Sequence, residues 1–154
     1  MSDRISEHVS FKEGIKSHTA TRLNIDNAPS DLDLINMKTI AKQVFEPLRE
    51  FVGGPIAINS FYRSPKLNSA IGGSTTSQHC KGSALDIDDK YGYKTNAEMF
   101  EYIKCNLDYD QMIWEFGDVD NPDWVHVSYV SEDVNRRRCL IAYKEKGRTK
   151  YKEL

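Results

Sequence analysis

Cysteine is scarce in this chain of 154 residues, which holds only Cys80, Cys105 and Cys139. An odd number, with no pair spaced C-x-x-C, excludes a disulfide framework and a cysteine-rich structural zinc site. Cys105 and Cys139 are expected as small buried hydrophobes, and Cys80 as a packing residue. A charge excess is missing as well. The chain carries 21 Lys and Arg against 23 Asp and Glu, a formal net charge of -2, so no overall field draws it to nucleic acid. No uninterrupted apolar run approaches the ~20 residues that cross a bilayer. The polar start, Met-Ser-Asp-Arg-Ile-Ser-Glu-His, contains no signal-peptide core. Synthesis in the cytoplasm without membrane insertion is therefore expected. With no repeat and no Pro-, Gly- or Ser-rich linker, residues 1–154 are expected to form one domain with its own core.

What is present reads as helices followed by strands. Residues 1–23 are expected to be an irregular N-terminal segment with at most a short helical turn. Ser30 is a good N-cap, and Asp31 and Asp33 sit where a helix dipole favours negative charge. From Leu34 through Met37, Ile40, Ala41, Val44, Phe45, Leu48 and Val52 the apolar residues recur at helical spacing, until Gly53-Gly54-Pro55 stops them. Pro47 should kink that helix. Thr95 or Asn96 caps a second helix, running to Asn106. Strands are predicted at 56–61, 84–88, 111–116, 124–129 and 138–143, leaving 145–154 as a basic tail. This order argues an α+β fold with a small, mostly antiparallel sheet and flanking helices.

Two histidines of four stand in informative settings. His79 precedes Asp86 by seven positions, with Gly82 between them to permit a sharp reversal. One nitrogen and one oxygen ligand suit a catalytic zinc site, where three protein ligands leave a position open. In Pro122-Asp-Trp-Val-His126-Val-Ser-Tyr, His126 and Ser128 share one strand face, while Val125 and Val127 take the other. Asp123 falls on the opposite face of an ideal strand. Pro122 suggests that it still lies in the loop, from which its carboxylate would bend back as a general base. A lone strand histidine is more often an ordinary polar residue, and Asp86 an ordinary strand-end acid. Together the two motifs supply two histidines, a ligand carboxylate and a base.

Three segments in order, Ser60-Phe-Tyr-Arg-Ser-Pro-Lys-Leu-Asn, Gly-Gly-Ser74-x-x-Ser77-Gln-His-x-x-Gly-x-Ala-x-Asp86 and Asp123-Trp-Val-His126-Val-Ser-Tyr, resemble the D-Ala-D-Ala carboxypeptidase and L-alanyl-D-glutamate peptidase family. These are zinc peptidases of the lysostaphin, D-Ala-D-Ala peptidase and hedgehog structural group. The resemblance runs from about Asn24 to Tyr129. It implies Zn2+ held by His79, Asp86 and His126, with Asp123 as catalytic base. It implies Arg63 as the group that stabilises the oxyanion or holds a substrate carboxylate, with Ser77 and Gln78 lining the substrate site. The family often has Gly where this chain has Phe61, which is expected to narrow the pocket.

The function so implied is a zinc-dependent peptidoglycan peptidase. An endolysin-like endopeptidase that cuts the stem peptide at L-Ala–D-Glu is the first reading, acting as a monomer after holin-assisted release. A D-Ala-D-Ala carboxypeptidase with the same chemistry is the alternative. A non-catalytic zinc-containing wall-binding module is a third reading from another class. The run Arg136-Arg-Arg and the lysines after it suit attraction to anionic envelope polymers, or simply a solvated, frayed end.

Overall fold

Hydroxyl side chains start the main helices of the computed structural model, which describes residues 4–154. Ser30 Oγ accepts from the N–H of Asp33, whose carboxylate accepts from the N–H of Ser30 in return. Thr95 and Glu98 make the same reciprocal box. The elements are β1 (Arg4–Ser6), β2 (Val9–Ser10), α1 (Phe11–Ile15), α2 (His18–Leu23), α3 (Asp31–Ile40), α4 (Glu46–Val52), β3 (Ala57–Ser60), α5 (Pro65–Ala70), β4 (Ala84–Asp88), α6 (Asn96–Asn106), β5 (Gln111–Glu115), β6 (Trp124–Ser128), β7 (Arg138–Glu145) and β8 (Arg148–Glu153). The segment expected to be irregular is therefore folded from Arg4 to Leu23, while residues 1–3 lie outside the described residues. Its β1–β2 hairpin escapes a pattern search because each strand is too short to show alternation.

Pro47 acts one turn earlier than a simple kink predicts. Residues Ala41–Phe45 form a π-helical turn, in which the Glu46 N–H reaches back to the Ala41 carbonyl. Proline has no N–H to donate and crowds the preceding carbonyl, and widening the turn before it absorbs both defects without breaking the helix.

Six strands pair in the order β3-β4-β6-β5-β7-β8, antiparallel throughout except for the parallel β5–β7 pair. Alternation divides this sheet into two chemically distinct faces. Leu85, Ile87, Met112, Val125 and Val127 are all buried, packed in one cluster with Met37, Val44 and Leu48 of the long helical stretch and Phe100 and Ile103 of α6. Each such side chain contributes about 1.5–3 kcal/mol on burial. The other face carries Asp86, Ile113, Glu115, Trp124 and His126, and it is left uncovered by helices. The expected α+β class is observed, with the sheet mixed at one pair of strands.

The C-terminal residues differ from expectation. Far from fraying, Arg148–Glu153 pair along β7 from Leu140↔Glu153 to Glu145↔Arg148. Its exposed Lys, Arg and Glu side chains suit an edge strand, since charge there discourages pairing with another molecule. Cys139 is buried as expected, with the Tyr109 hydroxyl 3.0 Å from its sulfur. Cys105 is exposed on α6, so that expectation is corrected. No helix among the described residues is long and apolar enough to cross a membrane.

Gly82 closes the 3-10 turn Gln78–Lys81 with φ +74, and an added Cβ would lie 2.5 Å from the Asp33 carbonyl. Strain and clash together make Gly82→Ala destabilising by about 2 kcal/mol, a fall of roughly 5 °C in Tm. Thermal unfolding followed by circular dichroism checks this.

Candidate metal centre

Strand register assembles the site. Asp86 on β4 lies directly across from His126 on β6, and Ile113 on β5 lies across from His126 on its other side. His79 arrives from the 3-10 turn, whose start is capped by Ser77 Oγ accepting from the His79 N–H at 3.3 Å. Asp86 Oδ1 then stands 3.3 Å from His79 Nε2 and 3.0 Å from His126 Nδ1. All three ligand-grade atoms lie within 4.8 Å of one another. Zinc bonds of about 2.0–2.1 Å in tetrahedral array put ligand atoms about 3.3–3.4 Å apart, so this trio fits zinc in spacing and in donor chemistry.

The surroundings prepare the donors. His79 is buried and its Nδ1 lies 2.7 Å from the Phe61 carbonyl, which fixes that nitrogen as the donor and leaves Nε2 a lone pair. Burial lowers the His79 imidazole below its ordinary value against the pull of Asp86, so the ring is neutral. Burial alone would raise Asp86, but the two adjacent imidazoles outweigh it and hold the carboxyl far below the usual range. Neutral imidazoles and an ionised carboxylate are the forms a metal needs. Phe61 itself is 1% exposed and packs in the core, so it does not narrow the pocket as expected.

A cleft of about 950 Å³ runs over this face of the sheet. It is lined by the trio and by Arg63, Ser77 and Gln78, all three of which the sequence had placed at the site. The Arg63 N–H donates to the His79 carbonyl at 3.1 Å, and its Nη1 donates to Asn68 Oδ1 at 3.1 Å. Its Nε is buried with no hydrogen-bond partner. Asn68, 3% exposed, also donates from Nδ2 to the Ser74 carbonyl at 2.7 Å, tying the Gly-Gly-Ser loop to Arg63. A Cβ on Gly73 would fall 2.1 Å from Asn68 Oδ1, so only glycine permits this clamp.

Asp123 is not brought to the trio. It lies in the bend just before β6, as expected, with its N–H donating to the Glu115 carbonyl at 2.9 Å. Its exposed side chain lines a second cavity beside Phe100 and Trp114, not the cleft that holds the trio. Glu115 stands in the cleft instead, on the His126 face of the sheet and 8% exposed. Burial pushes its carboxyl up to about 7, with His126 opposing and Asp86 reinforcing that shift. The signal was present in Gln111-Met-Ile-Trp-Glu, where Glu115 alternates with core residues, but its face depended on a register that sequence alone leaves open. Trp114 packs edge-on against Phe100 at 5.3 Å between centroids, on the core side.

A model of the Peptidase M15 family matches residues 7–128. The chain belongs to the peptidase M15 family. At family level it is a metallopeptidase, a hydrolase of a group generally dependent on zinc and acting on peptidoglycan. No curated protein matches the chain. The stretch shared with M15 peptidases ends at Ser128, so the wall of the cleft built by Arg136, Leu140, Lys144, Thr149 and Tyr151 lies beyond it.

A carboxyl that titrates near 7 in the fold but near 4.5 when unfolded costs the native state up to about 3 kcal/mol. That cost is absent below pH 4.5, grows as the pH rises toward 7 and is then constant. Metal-free Glu115→Gln should therefore be more stable than the parent at pH 8 and equal to it at pH 4, as denaturant titrations at the two pH values would show.

Proposed function

We propose that this chain is a zinc-dependent, endolysin-like endopeptidase that cuts within the peptidoglycan stem peptide, with the L-Ala–D-Glu bond as its candidate site. One peptidase unit over residues 1–154, working as a monomer and reaching the wall by holin-assisted release, completes the proposal. The observation that carries it is the convergence of three ligand atoms in a cleft whose floor also holds Glu115. The cleft spans β4 to β8, four strand intervals or about 19 Å, enough for five or six extended residues. Ser60 of β3 also lines the cleft, which therefore reaches both sides of the ligand trio and supports internal cleavage over removal of a terminal residue.

His79, Asp86 and His126 would hold the metal. A zinc ion there supplies Lewis acidity to the scissile carbonyl and to the attacking water. Glu115 takes the proton as the water oxygen bonds to the carbonyl carbon. The Arg63 guanidinium, which lines the cleft, donates to the oxygen that gains charge. As the C–N bond breaks, Glu115 returns the proton to the leaving amine. A carboxyl poised near neutrality serves both transfers, taking the role that the resemblance gave to Asp123. Ser77 and Gln78, on the cleft wall, are placed to meet the peptide backbone.

A D-Ala-D-Ala carboxypeptidase is the second reading, favoured by the same Arg63 guanidinium, which suits a terminal carboxylate. A non-catalytic wall-binding module has no use for a buried acid beside the ligands.

Mass spectrometry of fragments released from purified peptidoglycan tests these readings. Zinc-loaded protein should yield internal stem cleavage that a chelator abolishes, whereas release of terminal D-Ala alone would make it a carboxypeptidase. Glu115→Gln should keep zinc and lose about 10²–10⁴ in turnover, the usual share of a general base. His126→Ala should lose both. Asp123→Asn should stay within a few-fold of the parent, and a collapse there would return the base to Asp123.

A further inference from the structure

Asp110, only 2% exposed, lies just before β5 at one end of the cleft. Arg136 grips it as a fork, Nε to Oδ1 at 3.0 Å and Nη2 to Oδ2 at 2.8 Å, while the Arg136 backbone N–H donates to Oδ1 at 3.0 Å. Gln78 Nε2 donates to the same carboxylate at 3.0 Å from the residue next to His79. Burial would raise the Asp110 carboxyl, but the hydrogen bonds from Arg136 overcome it and keep the group ionised. The guanidinium so held is still half exposed, and it lines the cleft. Its Nη1 donates to no described residue. An arginine locked on one edge, with its other edge open to a cleft, has lost much of the freedom it would otherwise give up on binding an anion.

We infer that Arg136, fixed by Asp110 and Gln78, is a carboxylate-binding subsite that selects acidic peptides carrying a second carboxylate near the scissile bond. The inference rests on the peptidase reading for its substrate, and on residues outside the family match for its novelty. Asp110 precedes Ile113, the strand partner of His126, by three residues, which sets Arg136 roughly 10 Å along the strand from the ligand trio. Its side chain spans part of that interval. Lys144, on the same wall near Glu115, leaves the cleft positive at both ends.

The test uses zinc-loaded Glu115→Gln protein, so that binding is read without turnover. Quenching of Trp124, which lines the cleft, reports the affinity. The probes are a stem peptide with its side carboxylates free and the same peptide with those groups converted to amides. The free acid should bind at least about tenfold tighter, as charge-assisted pairing allows. Adding Arg136→Gln should bring the ratio close to one. A purely structural Arg136–Asp110 pair would change Tm and leave the ratio alone. If Arg136→Gln fails to fold, the acid-to-amide ratio of the parent still decides, because it needs no further variant. A parent ratio near one, or a ratio kept in a folded Arg136→Gln protein, overturns the subsite. The two readings also fail separately. Cleavage of no stem peptide, with the acid preference intact, would remove the peptidase reading and leave the subsite. Equal cleavage of acid and amide would do the reverse.

Discussion

The pairing of β4 with β6 is the constraint on which the rest depends. Leu85↔Val127 and Ile87↔Val125 press the two strands onto the core, and that same register sets Asp86 opposite His126. A slip of one residue would turn the apolar side chains to water and the ligands into the core, at a cost of several buried side chains. Hydrophobic burial therefore fixes the ligand geometry before any metal arrives. The 3-10 turn carrying His79 is pinned separately, by the Phe61 carbonyl and by the Gly82 reversal. Binding can then draw on a preformed trio instead of ordering one.

A preformed site carries a penalty. The floor of the cleft concentrates a carboxylate, two imidazoles and a second carboxyl where a covering helix would otherwise add apolar burial. Glu115 is the clearest case, since its burial disfavours the charge that a base must carry. A cation beside it would offset this, coupling metal occupancy to the protonation of Glu115 and to the stability of the fold. Arg63 shows the same logic on the opposite sign, a buried Nε that no protein acceptor satisfies.

Much of this was legible in the sequence, and the misses have physical causes. The strands at Ala84–Asp88 and Trp124–Ser128 and the helical stretch after Ser30 were readable because their apolar periods are long and undisturbed. His79, Asp86 and His126 were readable as a ligand set because their residue types complement one another. Asp123 was rightly read as a loop residue before its strand, but which cavity its carboxylate lines depends on the turn after β5, which sequence alone leaves open. Glu115 was given no catalytic role because only pairing with β6 tells which side of β5 faces the ligands. β8 was read as a tail because its six residues hold one aromatic and no aliphatic side chain, so no apolar alternation shows.

That last strand alters how the molecule is understood. With Arg136 and β7 it forms a cleft wall outside the segment shared with the M15 family, so the ligand trio and this wall come from different parts of the chain. Every part of the account still turns on what holds the metal. The most direct measurement is zinc K-edge X-ray absorption of the loaded protein at one equivalent. The account predicts a first shell of nitrogen and oxygen only, with the outer-shell pattern of two imidazoles. A sulfur scatterer at about 2.3 Å would place Cys80 in the shell instead, and would contradict the assignment of His79, Asp86 and His126.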